Sequence, residues 1–408
     1  MRFLFCFLIS FFTVGANAQV MFQFLGNKVT TWTYKAGDEF NGSAVNTDFW
    51  LTSYPWARHL YCSKDVNYYT ENSNFEISNG INRITAKKES ITARAVPYEE
   101  DNFVLKCASR PEVKNLLTYD YTSGILFSKQ KYQYGYFEIR FRTDEYAGLW
   151  PAFWLYGGSE NEEIDIFEIP GQQKGFFHVD VHCPSGCNNY HVGPLGLFRT
   201  NWGGNLPSTE FWSGNYNIIG AEWQPGYIKW YLNGEPVAYW KGKIATPLAL
   251  IANLAVTSDD GSFSGNPSAI NFPAHLDIDY IRVWNRGKIK SLEPEIVFQN
   301  MNSGMMLPEG NAALKSKIKP VYKKSQLKAQ QQLVGVFRTS TQNIMIQCYG
   351  NLKTSLIAEV SDAQGKVLSK TTISKSFTDL PLSSLNKGKY QLTIKSGALE
   401  GIQSFEVK

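Results

Sequence analysis

Short runs in which apolar and polar residues alternate, separated by turn signals, make up most of residues 25–286. In a strand, alternation places every second side chain on one face, as it does for Trp150, Ala152 and Trp154. The same stretch shows little sign of the spacing that an amphipathic helix requires. Many short strands with frequent turns predict an all-β fold in which two sheets pack as a sandwich.

The pattern changes after Trp284. Residues 287–334 lose the alternation and fill with Lys, Gln, Asn and Ser, which is typical of a linker. Alternating runs then return at residues 343–347, 355–360, 366–373 and 391–394, with turn signals at 362–365 and 386–388. These runs predict a small antiparallel β domain, a second sandwich, at residues 335–408.

The first residues have the pattern of a secretory signal. Arg2 supplies the positive start, residues 3–14 are apolar, and Ala16-Asn17-Ala18 is a small-residue cleavage site. No later stretch approaches the roughly 20 apolar residues of a membrane-spanning helix. The predicted domains are a signal peptide at 1–18, a main domain at 19–286, the linker at 287–334 and the small domain at 335–408.

The composition fits a protein that binds carbohydrate. Aromatic residues make up 14% of the chain, including 22 Tyr and 11 Trp. Their flat side chains offer a large contact area to the C–H faces of sugar rings. Trp150 and Trp154 are therefore candidate sugar platforms, with packing in the core as the alternative. The net charge of +4 gives no argument for nucleic acid as a partner.

Residues 163–168, Glu-Ile-Asp-Ile-Phe-Glu, carry the candidate chemistry. Strict alternation places Glu163, Asp165 and Phe167 on one face of a strand and Glu168 on the other. A single-residue bulge between Asp165 and Glu168 would return Glu168 to the carboxylate face. The glutamate Cα atoms then lie about 13 Å apart, and inward-leaning side chains leave the carboxyls roughly 5 Å apart. This separation favours a retaining glycosidase over a solvated acidic surface.

Motifs on both sides of the acid strand carry a family resemblance. They are Asp38-Glu39-Phe40-Asn41-Gly42, Ser123-Gly124, Tyr134-Gly135-Tyr136-Phe137-Glu138, Trp150-Pro151-Ala152-Phe153-Trp154, Asn253-Leu254-Ala255-Val256 and Asp279-Tyr280-Ile281-Arg282-Val283-Trp284. Together with residues 163–168, they resemble glycoside hydrolase family 16, the family of laminarinases, lichenases, agarases and carrageenases. The resemblance covers residues 25–286 and implies a concanavalin-like jelly roll. Its concave sheet would form an open cleft for endo-action on a polymer.

The resemblance also implies roles for the three acids. Glu163 matches the nucleophile, Glu168 the general acid/base, and Asp165 lies between them to tune both. General acid–base logic agrees, since Glu163 must be ionised to attack, whereas Glu168 must keep a proton for the leaving oxygen. An ionised neighbour should raise the pKa of Glu168.

Four more residues are expected at binding sites. His182 should hydrogen-bond near Glu168 or a substrate hydroxyl, as the matching family position implies, and Asn253 and Arg140 are taken as substrate-binding. No cofactor is expected for catalysis. Asp279 is the matching candidate for a structural calcium, an ion that requires six to eight oxygen ligands.

A zinc site is the alternative reading of the histidines. His178, Asp180 and His182 alternate onto one strand face after the turn at Pro170-Gly171. Nothing in the sequence supplies an obvious further ligand, so hydrogen bonding is favoured over a metal.

The sequence restricts the choice of substrate less closely than it restricts the type of reaction. Trp150-Pro151-Ala152-Phe153-Trp154 resembles the laminarinase branch, which implies β-1,3-glucan or mixed-linkage β-glucan. Asn161-Glu162 departs from the Gly-Glu step typical of laminarinases, so agar, porphyran and carrageenan stay open. A transglycosylase would keep the same acids, whereas a lectin would have no reason to keep them together.

The small domain has its own resemblance. Its residues 360–367, 385–394 and 405–408 resemble the C-terminal sorting domains of the type IX secretion system, which implies export across the outer membrane to the surface or beyond. The Asn-Pro element usual at the start of such domains is missing. A carbohydrate-binding sandwich is the alternative, but the stretch has no Trp to form a platform.

The mature chain has five cysteines, and an oxidising compartment permits bridges between them. The tight loop Cys183-Pro-Ser-Gly-Cys187 suggests one pair and Cys62 with Cys107 a second, which leaves Cys348 free; reduced, buried cysteines are the alternative. We expect a monomer whose partners are a polysaccharide and the secretion machinery.

Overall fold

The computed structural model describes residues 19–25, 28–60, 64–96, 115–157, 162–183, 201–207, 214–258, 263–291, 331–340, 343–349, 352 and 355–407. Regular structure in these ranges is almost entirely β-strand, with a 3₁₀ turn at Pro267–Ala269. No helix within them is long and apolar enough to cross a membrane.

The strands are numbered in chain order. They are β1 Val20–Leu25, β2 Lys28–Asp38, β3 Trp50–Leu51, β4 Asn67–Tyr69, β5 Phe75–Ser78, β6 Ile81–Ala86, β7 Ile91–Arg94, β8 Leu116–Tyr119, β9 Tyr121–Ser123, β10 Ile125–Tyr132, β11 Gly135–Thr143, β12 Leu149–Tyr156, β13 Glu163–Glu168, β14 Phe176–His182, β15 Asn201–Pro207, β16 Asn217–Gln224, β17 Tyr227–Leu232, β18 Glu235–Lys241, β19 Leu248–Val256, β20 Ala274–Ser291, β21 Gln331–Ser340, β22 Asn343–Tyr349, β23 Leu356–Asp362, β24 Val367–Ile373, β25 Phe377–Pro381, β26 Gly388–Ser396 and β27 Leu399–Val407. The chain divides into two compact units.

The main unit comprises the described residues from Lys35 to Arg286 and contains two large antiparallel sheets, together with the parallel pair β4-β9 and the antiparallel pair β7-β8. One runs β18-β17-β16-β11-β20, and β20 also pairs with β6, which pairs with β5. The other runs β15-β14-β13-β12-β19-β10-β3 and is called the seven-stranded sheet below. This architecture confirms the predicted sandwich.

Apolar residues from both sheets form the core of the main unit. Phe141 of β11 stacks on Phe167 of β13 with ring centroids 4.3 Å apart, which joins one sheet to the other. Within β19, Leu250 belongs to this core while its neighbour Ile251 belongs to an aromatic cluster on the opposite face. The seven-stranded sheet therefore packs one face in the core and carries this aromatic cluster on the other.

The second unit combines residues from the two ends of the chain. Its described parts are residues 19–34, 287–291 and 332–407. One sheet runs β1-β21-β22-β25, with the start of β2 beside β1, and the other runs β24-β23-β26-β27. The small β domain predicted from the sequence is present, but its boundaries differ from the predicted ones.

Strand β1 is the main difference. It falls within the main domain predicted at residues 19–286, yet Phe22 and Phe24 are buried in one core with Val336 and Ile346. A Cβ on Gly401 would lie 2.5 Å from the Phe22 ring, so β27 needs a glycine where this ring approaches. The alternation of residues 20–24 thus faces strands more than three hundred residues away. Both ends of the predicted linker are strand, since β20 continues to Ser291 and β21 begins at Gln331, and residues 292–330 lie outside the described residues.

The cysteines are described only in part. Cys183 is disulfide-bonded and Cys348 is a buried free thiol, whose pKa burial raises to about 12. The free state of Cys348 was predicted. Cys62, Cys107 and Cys187 lie outside the described residues, so the two proposed pairings stay predictions.

Asp277 connects three strands of the main unit. Its carboxylate accepts hydrogen bonds from Arg83 of β6 at 2.7 and 2.9 Å and from Arg142 of β11 at 2.7 and 2.9 Å. Burial alone would raise the pKa of Asp277, but the two guanidinium groups outweigh it and lower the pKa. The stabilisation from this shift is therefore present above the unfolded pKa of about 3.9 and is lost as pH falls through the folded value.

Replacing Asp277 with Asn should lower the free energy of unfolding at pH 7 by about 1–3 kcal/mol, because two arginines lose a buried carboxylate. Thermal melts at pH 7 and at pH 3 measure the effect, which should shrink at the lower pH. Asp279→Asn is the matched control: its side chain is 29% exposed against 4% for Asp277, so the loss should be smaller. An equal loss for both variants would contradict this assignment.

Candidate active site

The acid strand β13 carries the predicted bulge. Its register against β14 shifts between Asp165 and Glu168, and its register against β12 shifts at the matching position. Ile166 and Phe167 both enter the core as a result, and Phe167 leaves the face that strict alternation gave it. Glu168 is thereby returned to the face of Glu163 and Asp165, which is called the acid face of the seven-stranded sheet below.

The three acids differ in burial. The Asp165 side chain is almost fully buried, whereas Glu163 and Glu168 are partly exposed at the two ends of the motif. One polar side-chain atom each from Glu163, Asp165 and His182 lie within 4.8 Å of one another. Trp230 donates an indole hydrogen bond to the Asp165 carbonyl at 2.9 Å, which helps to fix the strand at its bulge.

Burial and mutual repulsion raise the pKa of each acid. For Glu168 the causes in order are burial and the charge of Asp165, opposed by His178. For Glu163 they are burial and Asp165, opposed by His182, with a further rise from a hydrogen bond to Asp165. Burial also raises the pKa of Asp165 itself. Burial and mutual repulsion thus disfavour the simultaneous ionisation of all three carboxyls.

This electrostatic picture agrees with the expectation for Glu168 and differs for Glu163. The pKa of Glu168 is raised, as predicted, but burial and not the charged neighbour is the largest cause. The pKa of Glu163 is raised as well, because it shares a buried face with Asp165. The two glutamates are distinguished by their neighbours: Glu163 lies opposite His182 and Glu168 lies opposite His178.

Strand β14 supplies those histidines. His182 Nε2 lies 3.3 Å from Asp165 Oδ2 and 3.6 Å from Asp180 Oδ2. The bulge places Glu168 opposite His178 on β14, and the predicted contact of His182 with a substrate hydroxyl stays a prediction. His178 Nε2 lies 3.3 Å from Asp180 Oδ2. The histidines thus face Asp180, which fits hydrogen bonding, the reading favoured over zinc.

The two tryptophans of β12 have different surroundings. Trp154 is 8% exposed and donates from Nε1 to Asn253 Oδ1 at 2.8 Å. Asn253 in turn donates to the Tyr69 hydroxyl at 3.2 Å. Trp150 is more exposed and packs against Phe263 with ring centroids 4.9 Å apart. Trp150 is therefore the better candidate for a sugar platform, and Asn253 holds Trp154 in place.

Sequence reasoning missed the aromatic residues that extend the acid face. Tyr54 and Trp56 stack at 5.0 Å, and Trp56 approaches Tyr156 at 5.6 Å. They join Trp154 in the cluster on the side of the sheet that bears the acids. Residues 54–56 have no strand alternation, so the only signal was the Tyr-Pro-Trp composition itself.

The model of the family described as glycosyl hydrolases family 16 matches residues 63–281. This match spans more than half of the 408 residues and includes the bulged acid strand. The chain belongs to glycosyl hydrolase family 16. The all-β sandwich of its main unit is the jelly roll that the resemblance implied.

Several proteins are similar to this family 16 chain. A glucan endo-1,3-beta-glucosidase A1 from Niallia circulans is 25% identical over 288 residues, which are 60% of this chain and 37% of that protein. An endo-1,3-1,4-beta-glycanase, ExsH, from Rhizobium meliloti is 26% identical over 61% of this chain and 50% of its own length. A kappa-carrageenase from Pseudoalteromonas carrageenovora is 27% identical over 62% of this chain and 65% of its own.

The match to these curated relatives thus spans between about a third and two thirds of their length. Among solved structures, an endo-beta-1,3-glucanase from Pyrococcus furiosus aligns with a TM-score of 0.49 and 27% identity, over 64% of this chain and 96% of that one.

Arg140 is not brought to the acid face of this family 16 chain. It alternates in β11 with the core residues Ile139 and Phe141, so it points out of the sandwich from the sheet that does not carry the acids. Its guanidinium pairs with Asp279 and lies 4.5 Å from the Tyr216 ring. The prediction of a substrate contact for Arg140 therefore fails, because alternation does not reveal which of two sheets a strand joins.

The Arg140–Asp279 pair is evidence on the structural calcium that the family resemblance implies at Asp279. The partner of Asp279 is the Arg140 guanidinium, a cation where a calcium site would require further oxygen ligands. These side chains do not fit a bound divalent ion, and the proposed reaction does not use one. Calcium binding elsewhere in the chain stays a prediction.

Proposed function

We propose that this chain is a secreted endo-acting glycoside hydrolase that cleaves internal β-linkages of β-1,3-glucan or mixed-linkage β-glucan with retention of configuration. The observation that carries the proposal is the bulged strand β13, which gathers Glu163, Asp165 and Glu168 on one aromatic-lined face in a family 16 chain. Two carboxyls at the ends of such a motif suit double displacement.

In the proposed first step, the Glu163 carboxylate attacks the anomeric carbon while Glu168 gives its proton to the departing glycosidic oxygen. In the second step, the Glu168 carboxylate takes a proton from water, and that water attacks the anomeric carbon and releases Glu163. A raised pKa suits Glu168 as the acid of the first step. The hydrogen bond between Glu163 and Asp165 raises the pKa of Glu163 and lowers that of Asp165, so Glu163 attacks once the proton of this pair has left it.

The relatives support the choice of substrate. The names of two of them specify endo-1,3- and endo-1,3-1,4-cleavage of β-linked polymers. The kappa-carrageenase supports the second candidate, a galactan such as carrageenan, agar or porphyran, and covers a similar share of this chain. Transglycosylation would use the same acids and differ in the acceptor.

Purified protein should release new reducing ends from laminarin or lichenan and not from agarose or carrageenan. Reducing-sugar assays with chromatography of early products measure both the linkage and the mode of action. Mixed oligosaccharides at early times indicate endo-cleavage. Activity on carrageenan or agarose alone would replace the glucan proposal, and longer products formed with added oligosaccharide acceptor would indicate transglycosylation.

Export is part of the same proposal. The signal-like pattern of residues 1–18 and the sorting-domain resemblance of residues 335–408 support passage to the surface or beyond. The second unit would then carry the address and the main unit the chemistry. The location of variants lacking the second unit tests this division.

A further inference from the structure

Strand β14 places three polar side chains directly opposite the three acids. His178 lies opposite Glu168, Asp180 opposite Asp165, and His182 opposite Glu163. Asp180 is therefore a fourth carboxylate on the acid face, and it is buried. A buried carboxylate beside three others is destabilising unless cations or donors compensate for it. Neither step of the proposed double displacement uses Asp180.

Both carboxylate oxygens of Asp180 have close polar neighbours. Its Oδ1 accepts the Val181 backbone N–H at 2.6 Å, and its Oδ2 lies 3.3 Å from His178 Nε2 and 3.6 Å from His182 Nε2. A Cβ on Gly203 would lie 2.4 Å from Asp180 Cγ, so the neighbouring strand β15 leaves room for this carboxylate only with a glycine there. The Asp180 carboxylate thus occupies a closely packed site where it contacts both histidines.

His178 meets an acceptor at each ring nitrogen. Nε2 faces Asp180, and Nδ1 lies 2.7 Å from Asn205 Oδ1. In this orientation the Asn205 amide donates from Nδ2 to Gln173 Oε1 at 2.6 Å. An imidazole with oxygen acceptors at both nitrogens satisfies both only when it is doubly protonated, which makes it a cation.

We propose that Asp180 is a positioning residue that holds His178 as an imidazolium facing Glu168. This cation would allow the acid/base Glu168 to give up its proton although three other carboxyls lie on the same face. The inference rests on the proposed function for Glu168. Burial alone would lower the pKa of His178, but the hydrogen bond to Asp180 and the charge of Glu168 raise it above its ordinary value.

The charges around Glu168 explain why a cation is needed there. On its own strand, Asp165 and Glu163 oppose ionisation of Glu168, and from β14 His178 and His182 favour it. On the other side, β12 places the neutral Ala152 opposite Glu168. Among the described residues, the histidines of β14 are thus the cations that compensate Glu168 when it becomes a carboxylate after the first step.

The activity test compares Asp180→Asn and His178→Gln with the full-length enzyme. Loss of the cation should raise the pKa of Glu168, so the alkaline limb of kcat/KM on the cleaved glucan should move up by about one pH unit. His275→Gln is the matched control: it breaks a His–Asp pair with Asp144 at 3.1 Å that lies on the other sheet, and it should leave the limb in place. A uniform loss of kcat/KM with no shift of the limb would overturn the proposal.

A second measurement does not depend on activity. In protein with ¹⁵N-labelled histidine, the His178 ring should lose its second proton at a higher pH than an ordinary imidazole, and Asp180→Asn should bring its titration back toward the ordinary value of about 6.5. An unchanged titration, or a neutral His178 in the unaltered protein at pH 6, would refute the role of Asp180. If no polysaccharide is cleaved while this titration behaves as expected, the proposed function fails and the assignment of a cationic His178 stands.

Discussion

Replacing Glu163 with Gln should reduce hydrolysis of the cleaved β-glucan by at least about three orders of magnitude, because no carboxylate is left to attack the anomeric carbon. Gln keeps the size and the hydrogen-bonding capacity of the side chain, so substrate should still bind. Initial rates and an affinity measurement on the same variant separate the two effects. Loss of binding together with turnover would point to misfolding and not to a missing nucleophile.

Glu168→Ala is the companion variant that distinguishes the roles. Glu163 can still attack, so substrates with good leaving groups should form the glycosyl-enzyme, and added azide should speed its breakdown by replacing the base-activated water. Asp165→Asn should cost less than either glutamate change, because Asp165 tunes charge without bonding to the sugar. Formation of the β-glycosyl azide by a variant of Glu163, and not by a variant of Glu168, would exchange the two assignments.

The stereochemistry tests the same geometry from the product side. Double displacement at a β-linkage should give the β anomer first, and NMR of the reaction within minutes detects it. Initial release of the α anomer would mean inversion, which requires a wider carboxyl separation than the bulged strand is expected to provide.

Removing residues 335–408 alone should make the protein far less soluble, whereas residues 35–286 alone should stay soluble and active. In the first variant, β1 keeps Phe22 and Phe24 but loses the core that buries them. Exposing each ring costs about 1.5–3 kcal/mol relative to its buried state and creates an aggregating strand. Size-exclusion chromatography and activity per mole of soluble protein compare the two variants.

Location in the cell adds a readout for the sorting proposal. The full-length protein should reach the surface, and the variant limited to residues 35–286 should be retained when it is given the same signal peptide. If the two truncated proteins are equally soluble, β1 is not an integral strand of the second unit. Export of the shortened enzyme, with weaker binding to insoluble polysaccharide, would favour the carbohydrate-binding alternative.

The sequence predicted the acid face better than its surroundings, for physical reasons. The bulge at Asp165–Glu168 could be anticipated because two glutamates must share a face for one reaction, and one extra residue is enough to achieve it. In β11, Arg140 alternates with the core residues Ile139 and Phe141, but the same pattern fits either sheet of a sandwich. Tyr54 and Trp56 lie outside regular strands, where no periodicity reports their position.

The strand that pairs with β1 could not be predicted from the sequence, for a different reason. Its alternating apolar residues predict a buried strand, but a strand pattern says nothing about which segment pairs with it. Here the pairing partner β21 follows after most of the chain has been made. The main domain predicted at residues 19–286 therefore includes a strand that belongs to the second unit.

This division has a consequence for proteolysis. Because β1 belongs to the second unit and continues through β2 into the main unit, the polypeptide reaches the second unit from both ends. A protease that cuts once between residues 291 and 331 would leave two fragments on a denaturing gel. Under native conditions they should migrate as one particle, held by the hydrogen bonds and apolar contacts of β1. Nicked enzyme would therefore keep its C-terminal portion after cleavage, and shedding would require the second unit to unfold.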